Sequence, residues 1–500
     1  MSVNKERFKF GRILIATCLI ASLSSVSGCR DKTQPQPDTS GYPSEVADII
    51  LTRCATTGCH NSANAANAAG IDLSSWNKMF DAGRNGNSVI PYSSDYSYLL
   101  YSINTDTNLG PVLEPTMPFN QAPLSTSEYD LIRQWILQGA PDKEGNTRFP
   151  DSPSRKKIYT SMQGCDQVAV IDAESRCIMK YVPVGADPSI IESPHMVRIS
   201  PDGQYWYSVF YSGSVLQKFR TSDDQLVSTL NVGSGDWNTI IITPDGRKGF
   251  LNATIAGITA VIDLETMTET TRFSMDFPHG GFITPDGNSL YLTCQLGNFI
   301  QKVDLTTAPF YDTETIILEP GETRTTASRY DPHEMVLSND GTKYFVSCQG
   351  SNEVRIFNTS NDSLLSILNV GAKPQEFSTS STHPYLYVTC TEDPVATGKK
   401  GSVYVIDMNT SSVISSIYVG YQPHGIAVDD DHELVYVANL NIDPNGPAPH
   451  HISSCGGRNG YITCINQLTL QPFSIPAASG PPYVFKQEVL TAPYFVSYKK

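Results

Sequence analysis

The sequence predicts a multidomain chain, a small all-α domain followed by an all-β seven-bladed propeller. Three observations predict it. Two thiols and an imidazole are packed into Cys54-Ala-Thr-Thr-Gly-Cys59-His60. Short helical patterns flank that motif within about 100 residues. From about residue 157 onward, a unit of roughly 42 residues recurs to the end of the chain.

Composition sets the outer limits. Five hundred residues exceed one small core and suggest several domains. A 40% apolar fraction with only 17% charged residues, and plentiful Gly, Pro and Tyr, suits a turn-rich β protein. The net charge of −15, from 35 basic and 50 acidic residues, argues against nucleic acid as a partner.

Residues 1–28 read as an export signal. Lys5, Arg7, Lys9 and Arg12 precede an apolar run from Ile13 to Leu23, too short for a comfortable membrane span. Val26-Ser27-Gly28-Cys29 then resembles a bacterial lipobox, which implies a lipid anchor on Cys29. The Pro-rich residues 29–43 read as a flexible tether. The expectation is an exported lipoprotein on a periplasmic face or cell surface, held to the membrane through its lipid anchor only.

Residues 44–142 form the first domain. Val46, Ile49, Ile50 and Leu51 mark a short amphipathic helix leading into Cys54. A second helix runs from Ser125 to Gly139, with Ser125 as cap, Glu128 completing a capping box and Gly139 as stop. Its apolar face is Tyr129, Ile132, Trp135 and Ile136. Two thiols beside a histidine suit covalent haem attachment, because each sulfur can add to one vinyl group while the imidazole reaches the iron. The usual spacer is two residues and here it is four, so the loop must bulge, and Gly58 allows it. Two alternatives stay open, a zinc site using Cys54, Cys59 and His60, and a Cys54–Cys59 disulfide.

Gly70-Ile-Asp-Leu-Ser-Ser75, Val89-Ile-Pro91, Ser94-Asp-Tyr-Ser-Tyr-Leu99, Met117-Pro118 and Trp135-Ile-Leu-Gln-Gly139 resemble the planctomycete-type cytochrome c domain across nearly all of residues 44–141. That resemblance implies one haem c with His60 as proximal and Met117 as distal iron ligand. A thioether ligand favours the reduced iron, and a filled sixth position favours electron transfer with a redox partner protein.

Residues 143–156 read as a linker, and residues 157–500 as the propeller. Each unit carries an apolar strand, a tight turn, a Tyr-rich strand, a strand ending in Asp, and a strand ending in Val-Gly. The turns are Pro201-Asp-Gly203, Pro244-Asp-Gly246, Pro285-Asp-Gly287 and Asn339-Asp-Gly341. Four short strands per unit describe a propeller blade. Six units are full, and the first lacks one strand, which the segment Tyr483 to Leu490 is expected to supply. The units resemble YVTN repeats, as in Leu386-Tyr-Val-Thr-Cys390 and Val435-Tyr-Val-Ala-Asn439.

Four first strands begin with Pro-His, at His195, His279, His333 and His424. Converging on the channel, they can hold a second metal such as copper, or each can bind a neighbouring blade's backbone as a repeated structural device. The last blade's insertion carries His450, His451 and Cys455, a metal cluster or a braced docking loop. Cys294, Cys348 and Cys390 sit at equivalent strand ends on successive blades, too far apart for disulfides. The two functional expectations are a one-electron carrier whose propeller binds a partner, and an oxidoreductase whose propeller metal exchanges electrons with the haem. No substrate is legible.

Overall fold

The computed structural model describes residues 38–393, 400–450, 455–476 and 482–500. The candidate lipidation residue Cys29 and His451 lie outside the described residues. Thr39–Lys500 form one compact unit.

The propeller has seven blades, each a sheet built on four antiparallel strands. Blade 2 (Pro194–Asn231), blade 3 (Trp237–Ser274), blade 4 (Pro278–Ile317), blade 5 (Pro332–Asn369) and blade 6 (Ala372–Tyr421) each use four consecutive strands. Their inner strands contact one another in a closed ring that also takes in Pro423–Asp429 and Pro493–Lys499. The turns between the first two strands explain the repeated motif. In blade 2, Ser200 Oγ donates to Asp202, Gly203 N donates to the Ser200 carbonyl, and Gly203 takes a φ of +70° that favours glycine. The same pattern recurs at Thr243/Asp245, Thr284/Asp286 and Ser338/Asp340.

Ring closure departs from the expected strand. Pro493–Lys499 pairs with Lys157–Met162 and is the inner strand of blade 1, with Lys157 opposite Lys499 and Met162 opposite Pro493. The expected segment is used elsewhere, since Lys486–Thr491 pairs with Asn459–Asn466 of blade 7. The physical reason lies in register. Pro493-Tyr494 occupies the place that Pro-His holds in other blades, where the proline pairs with the end of the second strand.

The N-terminal segment holds four short helices, α1 (Ser44–Ile49), α2 (Trp76–Met79), α3 (Tyr98–Ile103) and α4 (Thr126–Leu137). The capping box at α4 is complete, with Ser125 Oγ accepting from Glu128 N while the Glu128 carboxylate accepts from Ser125 N at 2.7 Å. Tyr129, Ile132, Trp135 and Ile136 form its buried face. α1 does not continue to Arg53 as an α-helix; a π-helical turn, Ile50–Cys54, replaces its last turn and leaves Cys54 buried. Arg53 bridges from this turn to Glu128 at 3.2 Å and to the Ala122 carbonyl at 2.6 Å, tying α1 to the start of α4.

This helical segment is not held by its linker alone. Its apolar residues share one core with blade 1, including Trp76, Phe80 and Trp135 on one side and Val168, Val170 and Met179 on the other. Asn87, buried, donates from Nδ2 to the Ile178 carbonyl and accepts at Oδ1 from Ile178 N. It thereby covers backbone groups at the outer edge of blade 1, a position otherwise open to pairing with another chain.

Candidate functional site

The Cys-Cys-His motif folds as a closed loop. Gly58 takes a φ of +85°, where a side chain would be strained, and makes the bulge that the four-residue spacer requires. His60 N donates to the Cys54 carbonyl at 3.1 Å and closes the loop. Leu73 N donates to the His60 carbonyl at 2.8 Å, which fixes its far end.

Both thiols are free, so the disulfide alternative is not adopted here. Burial pushes the Cys54 thiol up to about 11, against the opposing charge of Arg53, and keeps it protonated. Cys54 belongs to the buried core cluster, and Met117 packs against that same cluster. Met117 N donates to the Ser102 carbonyl at 2.7 Å, so the methionine is anchored just after α3. Burial lowers the His60 pKa, and a backbone interaction with Ile71 opposes the shift. His60 Nδ1 is buried with no hydrogen-bond partner among the described residues. A buried nitrogen without a partner leaves a lone pair open to a ligand or a metal. Cys54, Cys59 and His60 do not converge as a tetrahedral metal site would require; the group of donor atoms that does converge among the described residues lies elsewhere. Haem attachment needs no such convergence, because the two vinyl carbons lie apart on the macrocycle. The donor set therefore fits a covalently bound haem better than zinc.

The second constellation is the propeller channel. The four Pro-His residues come together there, with ring centroids 6.0 Å apart for His195 and His279, 4.2 Å for His279 and His333, and 5.7 Å for His333 and His424. Tyr494 completes the circle, 3.8 Å from His424 and 4.4 Å from His195. The backbone device expected of repeats is present in part. His279 Nδ1 hydrogen-bonds the His333 carbonyl at 3.1 Å. Hydroxyls supply much of the remaining stitching, from second strands except for Thr239 on the inner strand of blade 3. Ser161, Thr239, Thr293, Ser347 and Thr389 donate to the carbonyls of His195, His279, His333, Gln375 and His424 on the next blade.

At the other rings that device is loose: backbone of Asn238, Gln375 and Tyr494 acts on His195, His333 and His424 without closing a well-formed hydrogen bond. His195 Nδ1, His333 Nδ1 and both ring nitrogens of His424 are buried with no hydrogen-bond partner among the described residues. Burial is the main cause that holds these rings neutral, taking His424 down to about 3 and His279 to about 4. Two carboxyls share the site. Glu334 follows His333, and Glu376 follows Gln375, on adjacent inner strands. Burial raises both, the Glu334 charge raises Glu376 further, and the Arg198 guanidinium opposes both shifts. Gly280 makes room for this pair, since a Cβ there would stand 2.5 Å from both Glu334 Oε1 and the His333 carbonyl.

In the last-blade loop, the described residues favour the braced alternative over a metal cluster. Cys455 is disulfide-bonded to Cys165 of blade 1, with a Cα–Cα distance of 5.4 Å, so it offers no thiolate to a metal. His450 is exposed, and its backbone N–H donates to Glu488 at 2.8 Å. The disulfide spans 290 residues, so no local motif announces it. Cys294, Cys348 and Cys390 are buried free thiols, as equivalent positions on successive blades require.

No described protein family matches the chain. Antigen Lp49 of Leptospira interrogans serogroup Icterohaemorrhagiae serovar copenhageni is 25% identical over 332 residues, covering 60% of this chain and 69% of its own length. Among solved structures, a candidate 6-phosphogluconolactonase from Bacteroides uniformis aligns with a TM-score of 0.50 at 13% identity, over 69% of this chain and 99% of that one. The dihydro-heme d1 dehydrogenase NirN, in complex with DHE, aligns with a TM-score of 0.47 at 11% identity, over 77% of this chain and 89% of that one. At these identities the likeness is one of fold.

Proposed function

We propose that this protein is an exported, lipid-anchored c-type cytochrome that carries single electrons through one haem, with the propeller as the platform that presents it to a partner. In this reading residues 44–142 are the cytochrome domain. Cys54 and Cys59 form the thioether links, His60 and Met117 ligate the iron, and Cys29 carries the lipid. The haem supplies a one-electron couple that the polypeptide lacks. The chain's own residues do the rest. The Gly58 bulge and the His60 N to Cys54 carbonyl bond set the spacing of the two sulfurs. The π-helical turn carries Cys54 into the apolar core, which limits water near the attachment point.

The observation that carries the proposal is the state of His60 and the two thiols. Free cysteines at four-residue spacing stand beside an imidazole whose buried Nδ1 has no hydrogen-bond partner among the described residues. Export is supported by the Cys165–Cys455 disulfide, because such bonds persist in oxidising compartments. The test is expression in a host with haem-maturation machinery, followed by a pyridine haemochrome spectrum of denatured protein. One covalent haem per chain is expected, lost in Cys54→Ala/Cys59→Ala. Absence of covalent haem from the wild-type chain overturns the proposal.

A further inference from the structure

We propose that the propeller channel binds one divalent first-row transition-metal ion through His333, Glu376 and His424. One donor atom from each of these three buried residues lies within 4.8 Å of the other two. Three atoms at that spacing surround a point at most about 2.8 Å from each, and metal–ligand bonds here are about 2.1 Å. Sub-ångström side-chain movement closes the site. His333 Nδ1 and Glu376 Oε1 already stand 4.0 Å apart.

The alternative is that these residues only stitch blades together. That device accounts for His279, whose Nδ1 meets the His333 carbonyl. It accounts only loosely for His333 and His424: backbone at Gln375 and Tyr494 acts on them, yet His333 Nδ1 and both His424 ring nitrogens have no well-formed hydrogen bond among the described residues. Each such atom costs about 1–3 kcal/mol if nothing binds it. Glu334 and Glu376 share the channel with these rings, on adjacent inner strands. A cation held between these rings and Glu376 takes the free imidazole lone pairs, and the carboxyl gives up its proton on binding.

The donor set selects the ion. Two imidazoles and one carboxylate suit Zn(II), Fe(II), Co(II) or Cu(II), whereas Ca(II) and Mg(II) prefer an all-oxygen set. Neutral imidazole is the form that ligates a metal. Three protein ligands leave a coordination position for water or a small anion, the arrangement of a reactive centre more than of a purely structural one. His195 and His279 are neighbours of the triad and not members of it.

The proposal does not rest on the haem reading, and one set of samples separates the two. The full-length chain is stripped with a chelator and titrated with Co(II), following the ligand-field spectrum, while metal content after Zn(II) loading is measured by mass spectrometry. One ion per chain is expected. Affinity should fall at least tenfold in His333→Ala, Glu376→Gln and His424→Ala, and should hold in His195→Gln. Near-wild-type circular dichroism and retention of the Cys165–Cys455 disulfide identify variants that have folded. Should the alanine variants not fold, Glu376→Gln and His424→Gln, which keep most of the side-chain volume, carry the test. Sub-stoichiometric binding by the wild-type chain overturns the proposal, as does one ion held equally by wild type and every folded triad variant. Haem without channel metal overturns this inference alone; channel metal without haem overturns only the electron-carrier reading.

Discussion

Replacing both disulfide cysteines, Cys165→Ala with Cys455→Ala, should weaken the whole molecule and not just the last-blade loop. The bond joins residues 290 positions apart, on the first and last blades. Loop-closure entropy for that separation amounts to about 5–6 kcal/mol at 25 °C, while native disulfides typically deliver about 2–5 kcal/mol. The lower figure is expected here, because residual structure in the unfolded chain takes back part of the entropy term. With an unfolding entropy of about 2.1 cal/mol/K per residue, each kcal/mol moves the midpoint of so large a unit by only about 1 °C. Urea denaturation is therefore the better assay, with intrinsic fluorescence and far-UV circular dichroism as paired probes. The midpoint should fall in the double variant, and the m-value should rise because the unfolded chain expands. Thiol titration of the unreduced, denatured wild-type chain checks the bond itself. Equal stability of the two proteins, with the bond shown present in the wild type, would refute the reasoning.

Three further outcomes follow from named contacts. Asp224 is fully buried, accepts from Lys157 at 2.8 Å and from Tyr159 at 2.7 Å, and joins blade 2 to blade 1; Asp224→Ala strands the Lys157 ammonium and should cost about 3–5 kcal/mol in a denaturation curve, with Asp224→Asn costing less. Asp340 is held at about 2, chiefly by the Ser338 hydroxyl, below its ordinary 3.8. A depressed carboxyl stabilises the fold above the ordinary value and loses that contribution as pH falls through the folded one, so acid sensitivity between about pH 4 and 2 should diminish in Ser338→Ala. An unchanged acid-unfolding slope there would count against this role. In haem-loaded protein, Met117→Ala should remove the sulfur-to-iron charge-transfer band and lower the midpoint potential, because a thioether favours the reduced iron; an unaltered spectrum excludes Met117 as a ligand.

Local chemistry made much of this structure legible in advance. The Pro-Asp-Gly turns, the Ser125/Glu128 capping box and the buried face of α4 each depend on residues within a few positions of one another. The seven-blade count followed from the period. Long-range choices were harder to read. Tyr483 to Leu490 and Pro493 to Lys499 both carry strand-like patterns, and alternation alone does not say which one closes the ring. The deciding signal was Pro493-Tyr494 in the Pro-His register, with an aromatic ring in place of the imidazole. Glu376 is less legible for a related reason. Pro374-Gln375 holds the Pro-His place in its blade, but without an imidazole at Gln375 nothing marks the next residue as a ligand. The Cys165–Cys455 pair has no local signature at all.

The two candidate centres differ in how the fold constrains them, and this bears on how they can act together. The channel is set by seven inner strands, and on five of them a carbonyl accepts from a hydroxyl of the preceding blade. Displacing one strand breaks contacts on both sides, so the channel residues keep their spacing only while the ring is closed. The Cys54–His60 loop instead belongs to a core that the helical segment shares with blade 1, the blade where the ring closes. Its position therefore depends on that closure as well. Pro493–Lys499 supplies the inner strand, Tyr494 lies against His424 and His195, and Cys165–Cys455 braces the first blade against the last. Loosening this seam disturbs the channel through Tyr494 and the helical segment through blade 1. A helical domain on a free tether would leave the two independent. Here a common seam couples them, so the two sites hold their positions only while the ring is closed.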